Sequence, residues 1–352
     1  MSVEREIARN TALEIGYVGN TGVHLTSMAQ GNPVSPSNYL QSAFAKAGPN
    51  PFRAANNFGA INDFARTGHA SYHSLQALFR SRTSNSSQFQ AAYTYSHSIG
   101  NVELDNSSGS VNQEATTDLS NGRLDKSNTN INRPHIFVAN EVYFLPKLTN
   151  HGKFVENTVG GWEANSIITV ESGTSLSVFT GGATALTNAA GFNLNSLIGT
   201  GFNSNNRPLA TGIGCNVGES GNQILNPAAF TLVGYHLGTV DPKMAARGVC
   251  YGPKTRLFDI QMVKNWYFKE NHFRLKFSVD AFNIFNHANF TTSGIQSGYD
   301  GNNLVCNGPG GACSPTNNVV VSGGGTTQFG QVFGLVPGHN SREMQYGLKL
   351  TF

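Results

Sequence analysis

Few side chains in this sequence stand at spacings that support catalysis or metal binding. The ten histidines are scattered without a metal-ligand spacing, and His97, His135 and His287 have no acidic residue placed to assist them. The glycines at 181–182 and 323–325 precede no Lys-Ser/Thr step that would open a phosphate-binding helix. The sequence also lacks a nucleophile elbow and an HExxH motif. We therefore predict no catalytic residue, no cofactor and no metal, and expect that the protein is not an enzyme.

The cysteines are the remaining reactive side chains, and there are four of them, Cys215, Cys250, Cys306 and Cys313. All four fall in long segments without periodicity, which the topology below places outside the cell, where disulfides persist. Four cysteines allow three pairings. We favour Cys215–Cys250 and Cys306–Cys313 because each closes within one segment. A zinc site is the alternative, although neither pair has a C-x₂₋₄-C spacing.

Composition indicates what kind of elements must carry these loops. Charged residues make up 12% of the 352 residues, about half the usual share in soluble domains, while the chain contains 40 Gly, 23 Phe and 11 Tyr. Mean hydropathy is nevertheless −0.25, and no stretch of about 18 apolar residues predicts a transmembrane helix. The net charge of +3 is dispersed, which argues against a nucleic-acid partner. Such a composition is typical of a membrane barrel with a polar lumen.

Alternation of apolar and polar residues predicts about eight full β-strands. The clearest is the last, residues 342–352, where Met344, Tyr346, Leu348 and Leu350 share one parity with Phe352. Residues 2–7 resemble the end of an earlier strand. The other predicted strands cover residues 11–19, 72–82, 88–98, 134–146, 162–171, 255–268 and 273–285.

The connectors between these strands alternate between long and short. Residues 20–71, 99–133, 181–254 and 286–341 are long and polar, whereas the connectors between them are brief. In an antiparallel meander this places every long loop at one end, as in outer-membrane barrels with short periplasmic turns. We therefore predict an all-β fold, an antiparallel transmembrane β-barrel with long extracellular loops, in the cell outer membrane of a Gram-negative cell and in contact with its lipid.

Two sets of strand residues follow from this assignment. We predict an aromatic girdle at the short-turn end on the lipid-facing parity, formed by Phe144, Trp162, Trp266 and Phe352, with Tyr17, Tyr95 and Phe285 as candidates for a second girdle. Charged residues of the opposite parity are candidates for the lumen; they are Glu141, Glu163, Glu171, Asp259, Arg274, Lys276, Asp280 and Lys349. These charges could line a permeation path, or they could simply solvate and pair with one another.

Several stretches resemble one known family. They are residues 13–25, 92–98, 160–173, 342–352 and, most distinctive, residues 280–290 with the motif FNxFNH. In this order they resemble the carboxy-terminal barrel of TonB-dependent outer-membrane receptors, specifically the Oar-like group with a carboxypeptidase-regulatory-like domain. The resemblance implies that residues 1–352 form roughly the last third of a 22-stranded barrel that imports a scarce nutrient ligand.

The resemblance also implies partners and missing parts. The terminal Phe352 is similar to the signal by which the barrel-assembly machinery recognises its precursors, and the TonB system would act through an amino-terminal region outside this chain. Residues 1–9 contain no apolar segment of a secretory signal, and the sequence contains no plug domain. We therefore expect the chain to be a fragment of a longer protein.

Two other functions remain open. A complete small outer-membrane barrel with disulfide-tied loops would act as an adhesin or surface-binding protein. A soluble secreted β-protein, or a carbohydrate-active enzyme, would also contain alternating strands.

Overall fold

The computed structural model describes most of the chain, and the structural statements below refer to that part. The described residues are 1–45, 50–83, 87–102, 117–118, 121–180, 197–198, 206–268, 273–292, 295, 298–299, 304–323, 328–336 and 341–352. The predicted turn at 269–272 and the glycine pair at 181–182 lie outside these residues.

Strands dominate the described structure. In chain order they are β1 (Ser2–Ala8), β2 (Thr11–Gln30), β3 (Asn62–Arg82), β4 (Gln88–Gly100), β5 (Ser127–Asn128), β6 (His135–Phe144), β7 (Trp162–Glu171), β8 (Ser175–Leu176), β9 (Leu209–Ala210), β10 (Asn216–Ser220), β11 (Gln223–Leu225), β12 (Phe230–Thr231), β13 (Cys250–Tyr251), β14 (Thr255–Phe268), β15 (Phe273–Phe282), β16 (Val305–Cys306), β17 (Val320–Ser322) and β18 (Glu343–Thr351). Two short helices, α1 (Tyr39–Ala43) and α2 (Lys153–Thr158), accompany 3-10 turns at Pro36–Asn38, Gly122–Asp125, Thr149–His151, Pro227–Ala229 and Pro309–Gly311.

The long strands form one antiparallel sheet in which each strand pairs with the next long strand of the chain. Its order is β1-β2-β3-β4-β6-β7-β14-β15-β18, with β5 paired to the end of β4. Within the described residues β1 and β18 do not pair with each other, so the sheet is open at both edges. The alternation of apolar and polar residues favours this architecture, because paired neighbouring strands can place their apolar side chains on the same face of the sheet.

The positions of the long strands agree with the sequence pattern except beside the first long loop, and the short strands β5, β9–β13, β16 and β17 lie in segments predicted as loops. The structure has β14 at the predicted residues 255–268, whereas β2 continues to Gln30 and β3 begins at Asn62. The prediction of a loop over residues 20–71 was therefore wrong at both ends. Periodicity is lost there because the paired strands carry polar residues on both faces and change register around His24, whose φ of 57° marks a bulge.

The two ends of the sheet differ. Four long connectors, residues 31–61, 101–134, 172–254 and 283–342, leave from one end, which we call the long-loop end. The other end, the tight-turn end, carries the connections from β1 to β2, β3 to β4, β6 to β7 and β14 to β15. The largest hydrophobic core lies among the long connectors and includes Phe44, Leu232, Tyr235, Cys250 and Phe329. We call the packed part of these connectors the loop cap.

None of the described helices is both long and apolar enough to cross a membrane.

Candidate functional site: the polar face of the sheet and the loop cap

Strand register assigns each residue of the sheet to one of two faces, because directly paired residues of antiparallel strands lie on the same side. One face, the apolar face, is largely aromatic and aliphatic and includes Trp162, Ile168, Met262 and Trp266. The opposite face, the polar face, carries seven of the charged residues that the sequence proposed for a lumen. They are Glu163, Glu171, Asp259, Arg274, Lys276, Asp280 and Lys349.

The register corrects the prediction for β6. Glu141 is paired with Phe89 and Ser166, which places it on the apolar face, and Phe144 is paired with Glu163, which places it on the polar face. The sequence assigned these two residues the other way round. The reason is that β6 carries apolar residues at both parities, so that its own alternation does not identify the lipid-facing side; the neighbouring strands do.

The polar face contains a hydrogen-bond ladder across three strands. The Asn165 amide nitrogen donates to Glu163 Oε1 and to Gln261 Oε1, each at 3.0 Å. Gln261 in turn donates to an Asp280 carboxylate oxygen. The ladder connects β7, β14 and β15 through side chains that are partly exposed, so two of the predicted lumen charges hold neighbouring amides in place and still face open space.

The other predicted lumen charges form smaller groups. Lys276 is paired directly with Lys349, and the adjacent Arg274 donates to Asn265 Oδ1 at 3.0 Å, which makes a basic group near the tight-turn end. At the long-loop end Glu171 forms an ion pair with Arg133. Like charges placed opposite each other are unfavourable without a counter-charge, so this basic group would favour an anion nearby.

Aromatic residues of the apolar face lie at two levels along the strands, one at the tight-turn end and one toward the long-loop end. Trp162 and Trp266 both lie at the tight-turn end, where their indole nitrogens donate to the Thr158 and Asn157 carbonyls at 2.9 and 2.8 Å. Phe352 follows β18 at the same end and is exposed. Phe258 at the other level is eight residues from Trp266 along β14, or about 26 Å of extended strand. That spacing suits an apolar membrane band roughly 25 Å tall.

The second level contains tyrosine–histidine pairs. The Tyr17 hydroxyl lies 2.5 Å from His73 Nδ1, and the Tyr93 hydroxyl lies 2.8 Å from His135 Nδ1. Tyr95 packs on the His135 ring with centroids 5.3 Å apart. Phe285 packs edge-on against Phe258 at 4.9 Å. The three residues predicted for a second girdle therefore each take part in an aromatic contact.

The loop cap contains both favoured disulfides. Cys215 bonds to Cys250, and Cys306 bonds to Cys313. Cys250 is buried and lies in β13, which pairs with β8, so the first disulfide ties a distant part of the connector to the base of the cap. The second closes a tight loop with Cys306 buried in the shared core.

A buried ionic group joins two of the long connectors. Asp125 lies 3.1 Å from Arg247 and 3.9 Å from Arg207, and all three side chains are almost fully buried. The Thr117 backbone nitrogen and hydroxyl donate to the two Asp125 oxygens at 2.9 and 2.5 Å. Removing one charge from a buried ionic group is strongly destabilising, which makes this group important for the shape of the cap.

The cap contains two tyrosines whose hydroxyl groups are kept neutral by their surroundings. Burial raises the pKa of the Tyr235 hydroxyl, and the nearby Asp241 adds to the effect. Burial also raises the pKa of Tyr39, whose hydroxyl donates to Asp118 Oδ1 at 3.1 Å. Both hydroxyls therefore remain neutral at any physiological pH.

The FNxFNH motif organises the exit from β15 into the cap. The Asn283 side chain donates to the His287 carbonyl at 2.8 Å and accepts from the His287 backbone nitrogen at 3.0 Å. Asp259 accepts from the Asn283 backbone nitrogen at 2.8 Å, and the buried Asn289 accepts from the Arg256 nitrogen at 2.7 Å. The motif is thus a structural turn in which Asn283 is buried and Asn286 is exposed, and Asn289, two residues beyond the motif, is buried as well.

Sequence reasoning missed several residues of this site. Asp125, Arg207 and Arg247 are far apart in the chain and gave no local signal. The sequence showed the motif containing Asn283 only as a resemblance, because its structural role depends on a contact with β14. Within the described residues no group of three or more His, Cys, Asp or Glu side chains is placed to hold a metal ion.

Comparisons with known proteins identify the family. The family model for the outer membrane beta barrel domain matches residues 1–345. The search of curated proteins finds no match. Among solved structures the chain is similar to the outer membrane transporter YddB from Escherichia coli, with 10% identity, a TM-score of 0.40 and coverage of 98% of this chain and 32% of that chain. The chain therefore spans about a third of the length of that transporter.

Proposed function

Because the chain belongs to the family of outer membrane beta barrel domains, we propose that it is the carboxy-terminal part of the barrel of a TonB-dependent, Oar-like receptor. This receptor binds a scarce nutrient at the cell surface and imports it with energy from the inner membrane. Binding is non-covalent, and the chain carries no catalytic activity.

The observation that carries the proposal is the contrast between the two faces of one sheet. The apolar face exposes large side chains such as Tyr346 and Leu348, at 69% and 72%, and the other sheets of the described residues are two-stranded and lie in the long connectors. A soluble protein covers a surface of this kind. In a bilayer, lipid covers it, while the strands satisfy one another's backbone groups.

The polar face and the loop cap supply the ligand path in this proposal. The cap is held by two disulfides and a buried ionic group, so it presents a preorganised surface. Below it the ladder from Glu163 to Asp280 and the basic group at Lys276 and Lys349 offer hydrogen bonds and charge to a passing solute.

The remaining proposed partners act at the open edges of the sheet and at the ends of the chain. Strands of a longer protein pair with the free edges of β1 and β18, since an unpaired strand edge is costly in lipid. Phe352 engages the barrel-assembly machinery, and the TonB system acts on the amino-terminal region.

An immunoblot of outer-membrane fractions, with antibodies against the loop cap, tests the proposal. We expect a polypeptide much larger than the 37.6 kDa of this chain, with a signal peptide and plug encoded upstream. In the same cells, import of the solute that the protein binds should stop when the proton gradient is collapsed. A single band at 37.6 kDa, together with surface binding that persists without the gradient, would instead indicate a complete small barrel acting as an adhesin.

A further inference from the structure

The connector from β6 to β7 forms a small helix against the apolar face. Helix α2 lies at the tight-turn end, next to side chains of β7 and β14. Three of those side chains, Trp162, Lys264 and Trp266, belong to the apolar face by register. The helix therefore lies on the side of the sheet that meets lipid.

The carboxyl end of α2 is capped by these three side chains. Trp162 Nε1 donates to the Thr158 carbonyl at 2.9 Å, and Trp266 Nε1 donates to the Asn157 carbonyl at 2.8 Å. Lys264 Nζ donates to the Glu156 carbonyl at 3.2 Å and also to the Gly160 carbonyl. The last carbonyls of a helix have no partner within it, and a cation near them is favourable.

The turn that follows the helix requires glycine at two positions. A Cβ atom at Gly160 would lie 2.2 Å from the Lys147 carbonyl oxygen, and Gly161 has a φ of 65°. These two glycines let the chain turn back tightly so that the helix end reaches Lys264. Because its last carbonyls are hydrogen-bonded to side chains, the end of α2 can lie in surroundings that contain little water.

Two apolar residues of this segment are exposed, one in α2 and one directly after it. Phe154 is 80% exposed and Val159 is 60% exposed. Between them, the Thr158 hydroxyl donates to the Phe154 carbonyl at 2.7 Å, so this polar group is satisfied within the helix. Lys153 begins the helix, Lys147 precedes it in the connector, and both are exposed. Exposed apolar side chains with lysines close to them in the chain are typical of a helix at a lipid headgroup boundary.

We propose that α2 is an interfacial anchor that lies in the phospholipid leaflet bordering the tight-turn end. Phe154 and Val159 enter the outer part of the acyl region, and Lys147 and Lys153 lie among the headgroup phosphates. The occupant is lipid because this surface is continuous with the apolar face beside Trp162 and Trp266, which the outer-membrane location already assigns to lipid. The inference rests on that location and is independent of the proposed transport.

Site-directed spin labelling of the full chain in vesicles of phosphatidylethanolamine and phosphatidylglycerol tests the proposal. Nitroxides are attached in Phe154→Cys and Val159→Cys, with Lys153→Cys on the same helix as the matched control. We expect the ratio of oxygen to nickel-chelate collision rates to be several-fold higher at positions 154 and 159 than at 153. Equal nickel access at all three positions would overturn the proposal. Exclusion of both reagents at 154 would also overturn it, because it would show a covering protein.

The unmodified chain provides a second measurement that does not depend on the folding of a variant. Phospholipids with a diazirine either near the headgroup or at the end of the acyl chain are photolysed in the same vesicles, and adducts are mapped by mass spectrometry. We expect residues 153–159 to be labelled by the shallow probe several-fold more than by the deep one. Absence of any lipid adduct in this segment, with adducts present on β18, would overturn the proposal.

Discussion

Glu141 is a carboxylate on a face that otherwise consists mainly of aromatic and aliphatic side chains. Register places it beside Phe89, three residues from the tight-turn end of β6. A carboxylate at this depth costs less than a cation at the bilayer centre, since it lies near the interface. Phe144, by contrast, ends the same strand on the polar face. Single strands with apolar residues on both sides cannot be oriented from their own sequence.

Exchanging this carboxylate for an apolar residue tests the face assignment. Glu141→Leu should stabilise the protein in a bilayer by about 1 kcal/mol, because it removes a charge from lipid. The matched control, Glu163→Leu on the polar face, should destabilise it by about 1 kcal/mol through loss of the hydrogen bond from Asn165. Denaturant midpoints in vesicles measure both. A stabilising effect of the control and none at Glu141 would mean that the faces are assigned the wrong way round.

The buried tyrosines of the cap predict a loss of stability at alkaline pH. The folded-state pKa values of Tyr39 and Tyr235 are raised above the usual value near 10, so the fold favours the neutral hydroxyls. Their contribution is complete below about pH 10 and is lost as the pH rises beyond it. Unfolding midpoints followed by near-ultraviolet circular dichroism from pH 8 to 11 should therefore fall above pH 10. Tyr39→Phe should weaken this dependence, and a flat profile would contradict the burial of these groups.

At the scale of elements, strands could be predicted and the cap could not. Alternation in β14 and β18 is local, so the sequence placed these strands well. The cap depends on contacts between connectors far apart in the chain, such as the one between Asp125 and Arg247. The cysteines were the one local signal of these contacts, because pairing within a connector is the simplest closure.

The buried ionic group should matter much more than an exposed one. Asp125→Asn keeps the shape of the side chain but leaves Arg207 and Arg247 buried without its charge, which should cost about 3–5 kcal/mol. Arg80 pairs with Glu4 and Glu14 on the surface, so Arg80→Gln should cost at most about 1 kcal/mol. Resistance of the cap to a protease, with the disulfides intact, measures both. Equal sensitivity of the two variants would show that the Asp125 group does not hold the cap together.

The two disulfides should contribute unequally. In the loop-closure account, the separations of 35 and 7 residues correspond to about 4 kcal/mol for Cys215–Cys250 and about 2 kcal/mol for Cys306–Cys313. Paired Cys→Ser variants, compared in urea unfolding, should show this order. Alkylation should add mass to the wild-type chain only after reduction. Uptake of alkyl groups without reduction would contradict the disulfides themselves.

At the scale of the molecule, one open sheet presents an apolar face to lipid and carries a cap at its long-loop end. The sequence predicted the sorting of long and short connectors because loop length is read directly from strand spacing. It could not predict how far β2 and β3 extend, since the parts of these strands toward the long-loop end lack periodicity and are held by backbone pairing. It also gave no sign that α2 would lie against the apolar face, which depends on Lys264 and both tryptophans.

The depth of the two tryptophans in a bilayer decides whether the apolar face lies in lipid. Trp162 and Trp266 are the only tryptophans of the chain and lie on one face at one end of the sheet, so the fluorescence of the unmodified protein reports on that place. In vesicles, lipids brominated near the headgroup should quench it more strongly than lipids brominated deep in the acyl chain, and aqueous acrylamide should quench it weakly. Strong quenching by acrylamide, with none by either brominated lipid, would contradict the assignment of the apolar face to the membrane.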